Sequence, residues 1–263
     1  MCVIQWNVGK MKEVSVFICG VQKGGTTSLF SHLCDHHEMQ APKRKEIHFF
    51  DDEKQNWLSP DYGVLDAWFD TPDEFRLKFD VTPIYSFWKP SMKRIRDYNP
   101  DAKIICLFRD PIERAWSHWC MEYARQADTL LFADAIRHGR ARLLNIHQLD
   151  NQWRVVSYVE RGFYANQVRR LYDYFSKSQL LFLQSSDLKD HHQATLAQIS
   201  SFLNISDFAE TKPKYENVKA SINYPSSLTV DDKHYLRDIF YDDLIEFSEL
   251  TQVSTSSWLT CRI

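Results

Sequence analysis

A lysine, two glycines and three hydroxyl residues stand together at Lys23-Gly24-Gly25-Thr26-Thr27-Ser28, close behind the apolar stretch 14–19. The stretch reads as a buried strand, the glycines as a tight turn, and a helix opens at Thr26 or Thr27. Such a layout binds phosphate. Glycines let backbone N–H groups come close to an anion, and the helix N-terminus adds partial positive charge. In the ATP- and GTP-binding loop G-x-x-x-x-G-K-[ST] the lysine follows the last glycine. Here Lys23 precedes both glycines, which argues against an ordinary ATPase or GTPase and for a different phosphate-like group.

Two further clusters could do chemistry. A second buried-strand signal at 104–108 ends at Arg109, Asp110-Pro111 starts a helix, and Ser117 falls about two helical turns in. Arginine's planar fork can hold phosphate oxygens with two hydrogen bonds; an ion pair with Asp110 or Glu113 is its plain structural use. The segment Lys45-Glu46-Ile47-His48-Phe49-Phe50-Asp51 sets a carboxylate beside an apolar run. Desolvation would raise the Glu46 pKa toward neutrality and make it a general base, with His48 sharing or tuning that role. A salt bridge from Glu46 to Lys43, Arg44 or Lys45 is the bland alternative, as is a hydrogen-bonded structural histidine at 48.

The stretches GVQKGGTT (20–27) and FRDPIERAWSHW (108–119) together resemble the two nucleotide-binding motifs of the sulfotransferases that use 3′-phosphoadenosine 5′-phosphosulfate. The Lys45-to-Asp51 segment resembles the KE-x-x-FF-D segment of the heparan sulfate N- and O-sulfotransferase branch. The likeness runs from residue 14 to residue 203, with a weaker echo at Tyr224-Pro225. It implies that Lys23 stabilises the leaving phosphate, that Gly24, Gly25, Thr26, Thr27 and Ser28 cradle the 5′-phosphate, and that Arg109 and Ser117 hold the 3′-phosphate. It implies that Glu46, with His48, takes the acceptor proton while Lys45 positions the sulfuryl oxygens. It also implies that Thr82 and Tyr85 line the acceptor cleft, although core packing explains them equally well. Tyr164 would lie by the nucleotide, and Lys219 and Tyr224 on a loop closing over it. Two departures stand out. Gly24 replaces the commoner threonine, and the K-G-R-x-Y-P pattern is broken by Ser221 and Asn223.

The elements that must position these groups alternate between strand and helix signals. The expected fold is α/β: a central parallel sheet of about five strands flanked by helices, of the phosphate-loop nucleotide-binding type. Strands are expected at 14–19, 77–80, 104–108 and 180–184, and helices at 27–35, 90–98, 112–125 and 192–203. Residues 132–174 read as mostly helical with a break at Arg161-Gly162, and residues 211–229 as loop. A single domain spanning 1–263 is expected, with 1–12 and 251–263 peripheral.

Composition narrows the partners. A net charge of −3 supplies no overall basic surface for nucleic acid or a long polyanionic glycan. No apolar stretch reaches the roughly 18 residues of a membrane span, and residues 1–12 carry no signal-peptide pattern. The six cysteines form no C-x-x-C pair, which suits a reducing compartment. These points lead to a cytoplasmic enzyme without membrane or nucleic-acid partners. His32, His36 and His37 lack the glutamate of the zinc-protease pattern and read as a solvated helix end, so no metal is expected. The acceptor is expected to be a small molecule of secondary metabolism, with a cationic guanidinium alkaloid conceivable through aromatic and carboxylate contacts. A glycan or lipid acceptor is the first alternative. An ATP-dependent phosphotransferase and a non-catalytic nucleotide-binding module are the others.

Overall fold

The computed structural model describes residues 13–70, 76–214 and 222–263. Five parallel strands form one sheet in the order β2-β3-β1-β4-β5. They are β1 (Val16–Gly20), β2 (Met39–Gln40), β3 (Leu77–Val81), β4 (Lys103–Phe108) and β5 (Leu180–Gln184). The named helices are α1 (Thr26–Asp35), α2 (Ser91–Tyr98), α3 (Pro111–Ala124), α4 (Tyr164–Tyr174), α5 (His192–Leu203) and α6 (Val230–Thr251). The expected α/β architecture is therefore the observed one. The two-residue edge strand β2 is too short to leave a signal in the sequence.

The central strands read as near-continuous apolar runs because helices cover both faces of a parallel sheet. Alternation sorts them. Phe17, Cys19, Ile104, Cys106 and Phe108 pack with Met92 and Ile95 of α2, Val168 and Leu171 of α4, and Leu244 and Phe247 of α6. Val16, Ile18, Ile105 and Leu107 pack on the other face with Leu29 and Leu33 of α1 and Leu196 and Ile199 of α5. Parallel pairing then brings the carboxyl ends of β1, β3, β4 and β5 to one edge, where loops of such sheets bind ligands.

Helix α3 starts as its sequence dictates. Asp110 is the N-cap and accepts from the Glu113 N–H at 3.0 Å, and Pro111 occupies the first turn. The break at Arg161-Gly162 is a short 3₁₀ turn preceding α4. A β-carbon on Gly162 would meet the Phe240 ring at 2.5 Å, so the glycine serves close packing.

Helix α6 is not among the elements expected from the sequence. Its buried positions Leu236, Phe240, Leu244 and Phe247 keep helical spacing, while acidic residues crowd the other positions and dilute the pattern. Thr229 and Asp232 form a capping box at its start. The segment after α6 was expected to be peripheral. It instead turns back into the fold: Trp258 is buried, and Thr260 donates to Asp110 Oδ2 from its N–H (2.8 Å) and hydroxyl (2.7 Å).

Gly162→Ala should lower stability by roughly 1–3 kcal/mol through overpacking. Thermal denaturation should show a fall of several degrees, partly restored by Phe240→Leu in the same chain; no fall, or no restoration, would contradict this packing.

Candidate active site

The phosphate loop leaves β1 at Gly20 and enters α1 at Thr26. The Val21 N–H donates to the Leu107 carbonyl at 2.8 Å, and the Gly24 N–H to the Val21 carbonyl at 2.8 Å. A β-carbon at Gly24 would sit 2.4 Å from the Leu107 oxygen and 2.9 Å from the Val21 oxygen. The glycine in place of a threonine is thus required by close backbone approach in this chain. Gly25 adopts φ 88° and caps α1 without a side-chain bond, and no acid lies in the first turn. The positive end of the helix therefore faces the loop without a neighbouring carboxylate to offset it. Thr26 is buried, and Thr27 and Ser28 are half-buried.

Lys23, the residue before these glycines, has a left-handed backbone (φ 69°), and its Nζ lies 3.7 Å from Met121 Sδ of α3. Burial lowers its pKa, and the charges of Arg125 and Arg109 lower it further. Three cations thus converge, with Arg125 paired to Glu122 at 3.3 Å and Lys23 meeting only a thioether, a setting that suits an anionic ligand. Arg109 follows β4. Its Nε and one terminal nitrogen each lie 3.0 Å from Glu113 Oε2, so the ion pair foreseen as its plain use is present. Both partners are more than a third exposed, and such pairs contribute only about 0–1 kcal/mol, little enough to yield to a phosphate. Ser117 is half-buried in α3.

The base segment crosses the same edge. The Glu46 N–H donates to the Val81 carbonyl at 3.1 Å. Phe50 is buried against Phe17, Tyr85 and Tyr98. Arg94 of α2 donates to the Phe50 carbonyl and pairs with Glu53, which also accepts from Trp88. Glu46 and His48 take φ of 63° and 59°, each costing about 1–2 kcal/mol in a residue with a β-carbon. Their side chains meet. Glu46 Oε1 lies 2.5 Å from Lys45 Nζ, and Glu46 Oε2 lies 3.5 Å from His48 Nε2. His48 Nδ1 is 2.9 Å from Asp51 Oδ2, and buried Asp51 is bonded to Arg154.

These contacts correct one expectation. Burial does act to raise the Glu46 pKa, but hydrogen bonds from His48 and Lys45 outweigh it and hold the carboxyl at about 2. For His48 burial pulls downward, and its bonds to Asp51 and Glu46 prevail, lifting it to about 9. At neutral pH the trio is a carboxylate between two cations.

Thr82 and Tyr85 are fully buried, which agrees with the core-packing alternative for them. Both donate to Asp80, at 2.8 Å each, and the Tyr85 oxygen accepts from the Phe49 and Phe50 N–H groups. They support the base segment from beneath. Tyr164 is fully buried as well; its hydroxyl donates to the Arg109 carbonyl at 2.8 Å, so it positions Arg109. Tyr224 packs against Trp119 and Tyr123, at 6.0 and 6.3 Å between ring centroids. Lys219 lies outside the described residues. Of the histidines by α1, His32 packs on His192 and His36 bonds to the Ser206 carbonyl, which makes them packing groups and not a solvated end. Asp51 and Arg154 are not among the expected site residues, and Arg161 enters only through the break at Arg161-Gly162. Asp51 could have been expected, since it stands three residues after His48; Arg154 lies too far along the chain to leave a local signal.

The phosphate loop carries its lysine ahead of the glycines, and Arg109 follows β4, the strand paired with β1 in the sheet. The chain matches the family described as "Sulfotransferase domain" over residues 13–239, and it belongs to that family. It is 28% identical over 210 residues to mouse "Heparan sulfate glucosamine 3-O-sulfotransferase 6", covering 80% of this chain and 57% of that protein. It is 27% identical over 224 residues to mouse "Bifunctional heparan sulfate N-deacetylase/N-sulfotransferase 4", covering 81% of this chain and 23% of that one. The chain therefore spans little more than half the length of the first relative and about a quarter of the second. Its fold is similar to that of a sulfotransferase from Alicyclobacillus acidocaldarius, with a TM-score of 0.74, 24% identity, and 94% and 99% of the two chains covered.

The His48 shift has a measurable sign. Its folded pKa of about 9 exceeds the ordinary 6.5, so its stabilising contribution is full below pH 6.5 and lost as pH rises through about 9. Glu46 behaves oppositely, contributing above its ordinary 4.5 and losing that contribution as pH falls toward about 2. In Asp51→Asn the His48 midpoint, followed by NMR, should fall, and the loss of thermal stability between pH 6.5 and 9 should shrink. A midpoint unmoved near 9 would contradict the assignment.

Proposed function

We propose that this protein transfers a sulfuryl group from 3′-phosphoadenosine 5′-phosphosulfate to a hydroxyl or amine of a small-molecule acceptor. The observation that carries this reading is the meeting of two unlike constellations at one sheet edge: a cationic phosphate loop at Lys23 and a carboxylate–imidazole segment at Glu46–Asp51. When bound, the nucleotide supplies the sulfuryl group and departs as 3′-phosphoadenosine 5′-phosphate.

The residues divide the work. Gly24, Gly25 and the α1 N-terminus, with Thr26, Thr27 and Ser28, hold the 5′-phosphate. Arg109 exchanges Glu113 for the 3′-phosphate, helped by Ser117. Lys23 stands where charge develops on the leaving oxygen. Glu46 takes the acceptor proton. With a pKa of about 2 it is a weak base while both neighbours donate to it. Lys45 turning to an anionic partner withdraws one of those bonds and raises the proton affinity of Glu46, which confines base strength to the loaded site.

A groove of about 450 Å³ between Lys89, Pro90 and Ile146, His147, Gln148 and Leu149 supports a small acceptor. Lys89 on its wall follows Trp88 in the chain, and the Trp88 ring carries the Arg154 guanidinium at 4.1 Å. The groove's walls combine Pro90, Ile146 and Leu149 with Lys89, His147 and Gln148 and include no carboxylate, which favours a neutral acceptor over a cationic alkaloid. The names of the curated relatives favour a second reading, a glucosamine-containing glycan. Among the described residues no helix is long and apolar enough to cross a membrane.

Calorimetry with 3′-phosphoadenosine 5′-phosphate, ATP and ADP tests the donor. The bisphosphate should bind selectively, and Arg109→Ala should weaken it by about 10- to 150-fold, the loss of a charged hydrogen-bond partner. Preference for ATP would sink the reading in favour of a phosphotransferase. Turnover of apolar alcohols and amines, compared with glucosaminyl oligosaccharides, separates the two acceptor classes. Glu46→Ala should abolish transfer while leaving bisphosphate binding intact; retained turnover would instead point to another base.

A further inference from the structure

Behind the two halves of the site runs a continuous set of contacts. Gln22, the residue before Lys23, accepts at Oε1 from Arg161 Nη1 at 2.7 Å. Arg161 Nη2 donates to the Arg154 carbonyl at 2.9 Å. Arg154 donates through both terminal nitrogens to Asp51, one to Oδ2 and one to the main-chain carbonyl. Asp51 holds His48 Nδ1 at 2.9 Å, and His48 Nε2 faces Glu46 at 3.5 Å. The donor loop and the base segment are thus joined through side chains and the Arg154 main chain.

Packing alone does not account for this arrangement. Arg161 is 3% exposed, and its hydrogen bonds run to an amide, a hydroxyl and a carbonyl. A buried guanidinium with neutral partners is costly, and an apolar residue would fill the same space at less cost. Its pKa falls to about 9, chiefly through burial and then through Arg114 and Arg154. At the other end, the left-handed backbones of Glu46 and His48 persist only while tethers over-determine them, and Asp51 is the tether of His48. A segment so held can change when its tether shifts.

We propose that Arg161 and Arg154 are positioning residues that couple the donor loop to the base segment, so that filling the loop with an adenosine bisphosphate reorients His48 and Glu46 for the acceptor. This rests on the sulfotransferase reading above. The coupling is reciprocal, so an acceptor-occupied base segment tightens donor binding by the same factor.

A chain of contacts is not itself coupling, so the test reads the far end directly. In histidine-labelled protein, with His48 assigned through His48→Gln, adding 3′-phosphoadenosine 5′-phosphate should shift the His48 ring resonances. In Arg161→Lys, which keeps the charge and loses the fork, the bisphosphate should bind within about threefold of wild type, as for independent sites. The His48 response should be lost there, and kcat should fall roughly three- to thirty-fold, the usual range for a coupling residue. Gln22→Met cuts the path at its half-buried end and should give the same loss of response if Arg161→Lys does not fold. A His48 response that persists in the variants, or is absent from wild type with the bisphosphate bound, overturns the proposal. Loss of bisphosphate binding in Arg161→Lys also overturns it, because Arg161 would then belong to the donor site. Failure of wild type to bind the bisphosphate overturns the sulfotransferase reading, and the coupling with it.

Discussion

The Asp80 carboxylate, wholly buried at the end of β3, bears the base segment. It accepts from the Thr82 and Tyr85 hydroxyls and from the Ile47 N–H. Burial drives its pKa up to about 6 against these three donors, a sign of how far it lies from water. A carboxylate so placed is tolerated only when hydrogen-bonded. Satisfying it orients Tyr85, whose oxygen then receives the Phe49 and Phe50 N–H groups. The segment between Glu46 and Asp51 is drawn onto the sheet edge, and the aromatic rings of Phe49 and Phe50 lock it into the core. Without that pin the positive φ angles of Glu46 and His48 would have nothing to hold them.

The same logic explains where backbone strain collects. Of the left-handed non-glycine backbones among the described residues, Gln126, Asn204 and Gln252 lie at helix C-terminal ends, while Lys23, Glu46 and His48 carry side chains with a proposed chemical role. The three are set by different supports: Leu107 and Val21 carbonyls around the loop, Asp80 and Asp51 around the base segment. Strain of this kind persists where surrounding structure over-determines it, and it aims side chains that an ordinary strand or helix would send elsewhere.

What could be read from the sequence follows from how local each signal is. The strand–glycine–helix turn at Lys23 and the Arg109–Asp110–Pro111 helix start are each written within a few residues, and both appear as expected. The Glu46 and His48 positions were legible, but the Glu46 pKa was not. Its direction depends on Lys45 and His48 lying at hydrogen-bonding range, which a desolvation argument from Ile47 to Phe50 cannot supply. For Thr82, Tyr85 and Tyr164 the sequence could not separate support from ligand contact, because a hydroxyl that supports a neighbour looks the same in sequence as one that meets a substrate. Helix α6 was missed although its apolar spacing is regular, since acidic residues dilute its moment and no glycine or proline marks its ends.

Net charge was the least informative number in the chain. A protein of charge −3 gathers Lys23, Arg109, Arg125, Arg161 and Arg114 around one loop. Several of them lack a carboxylate in direct contact: Lys23 meets a thioether, Arg161 an amide, and Arg114 the Tyr158 carbonyl. Burial and mutual repulsion lower the pKa of all three. A fold that keeps cations close and underpaired is less stable than it could be, and an arriving polyanion relieves the deficit. Binding to the folded state alone then stabilises it by mass action. In the sulfotransferase reading it is the local field at the loop, not the sign of the whole molecule, that selects an anionic donor.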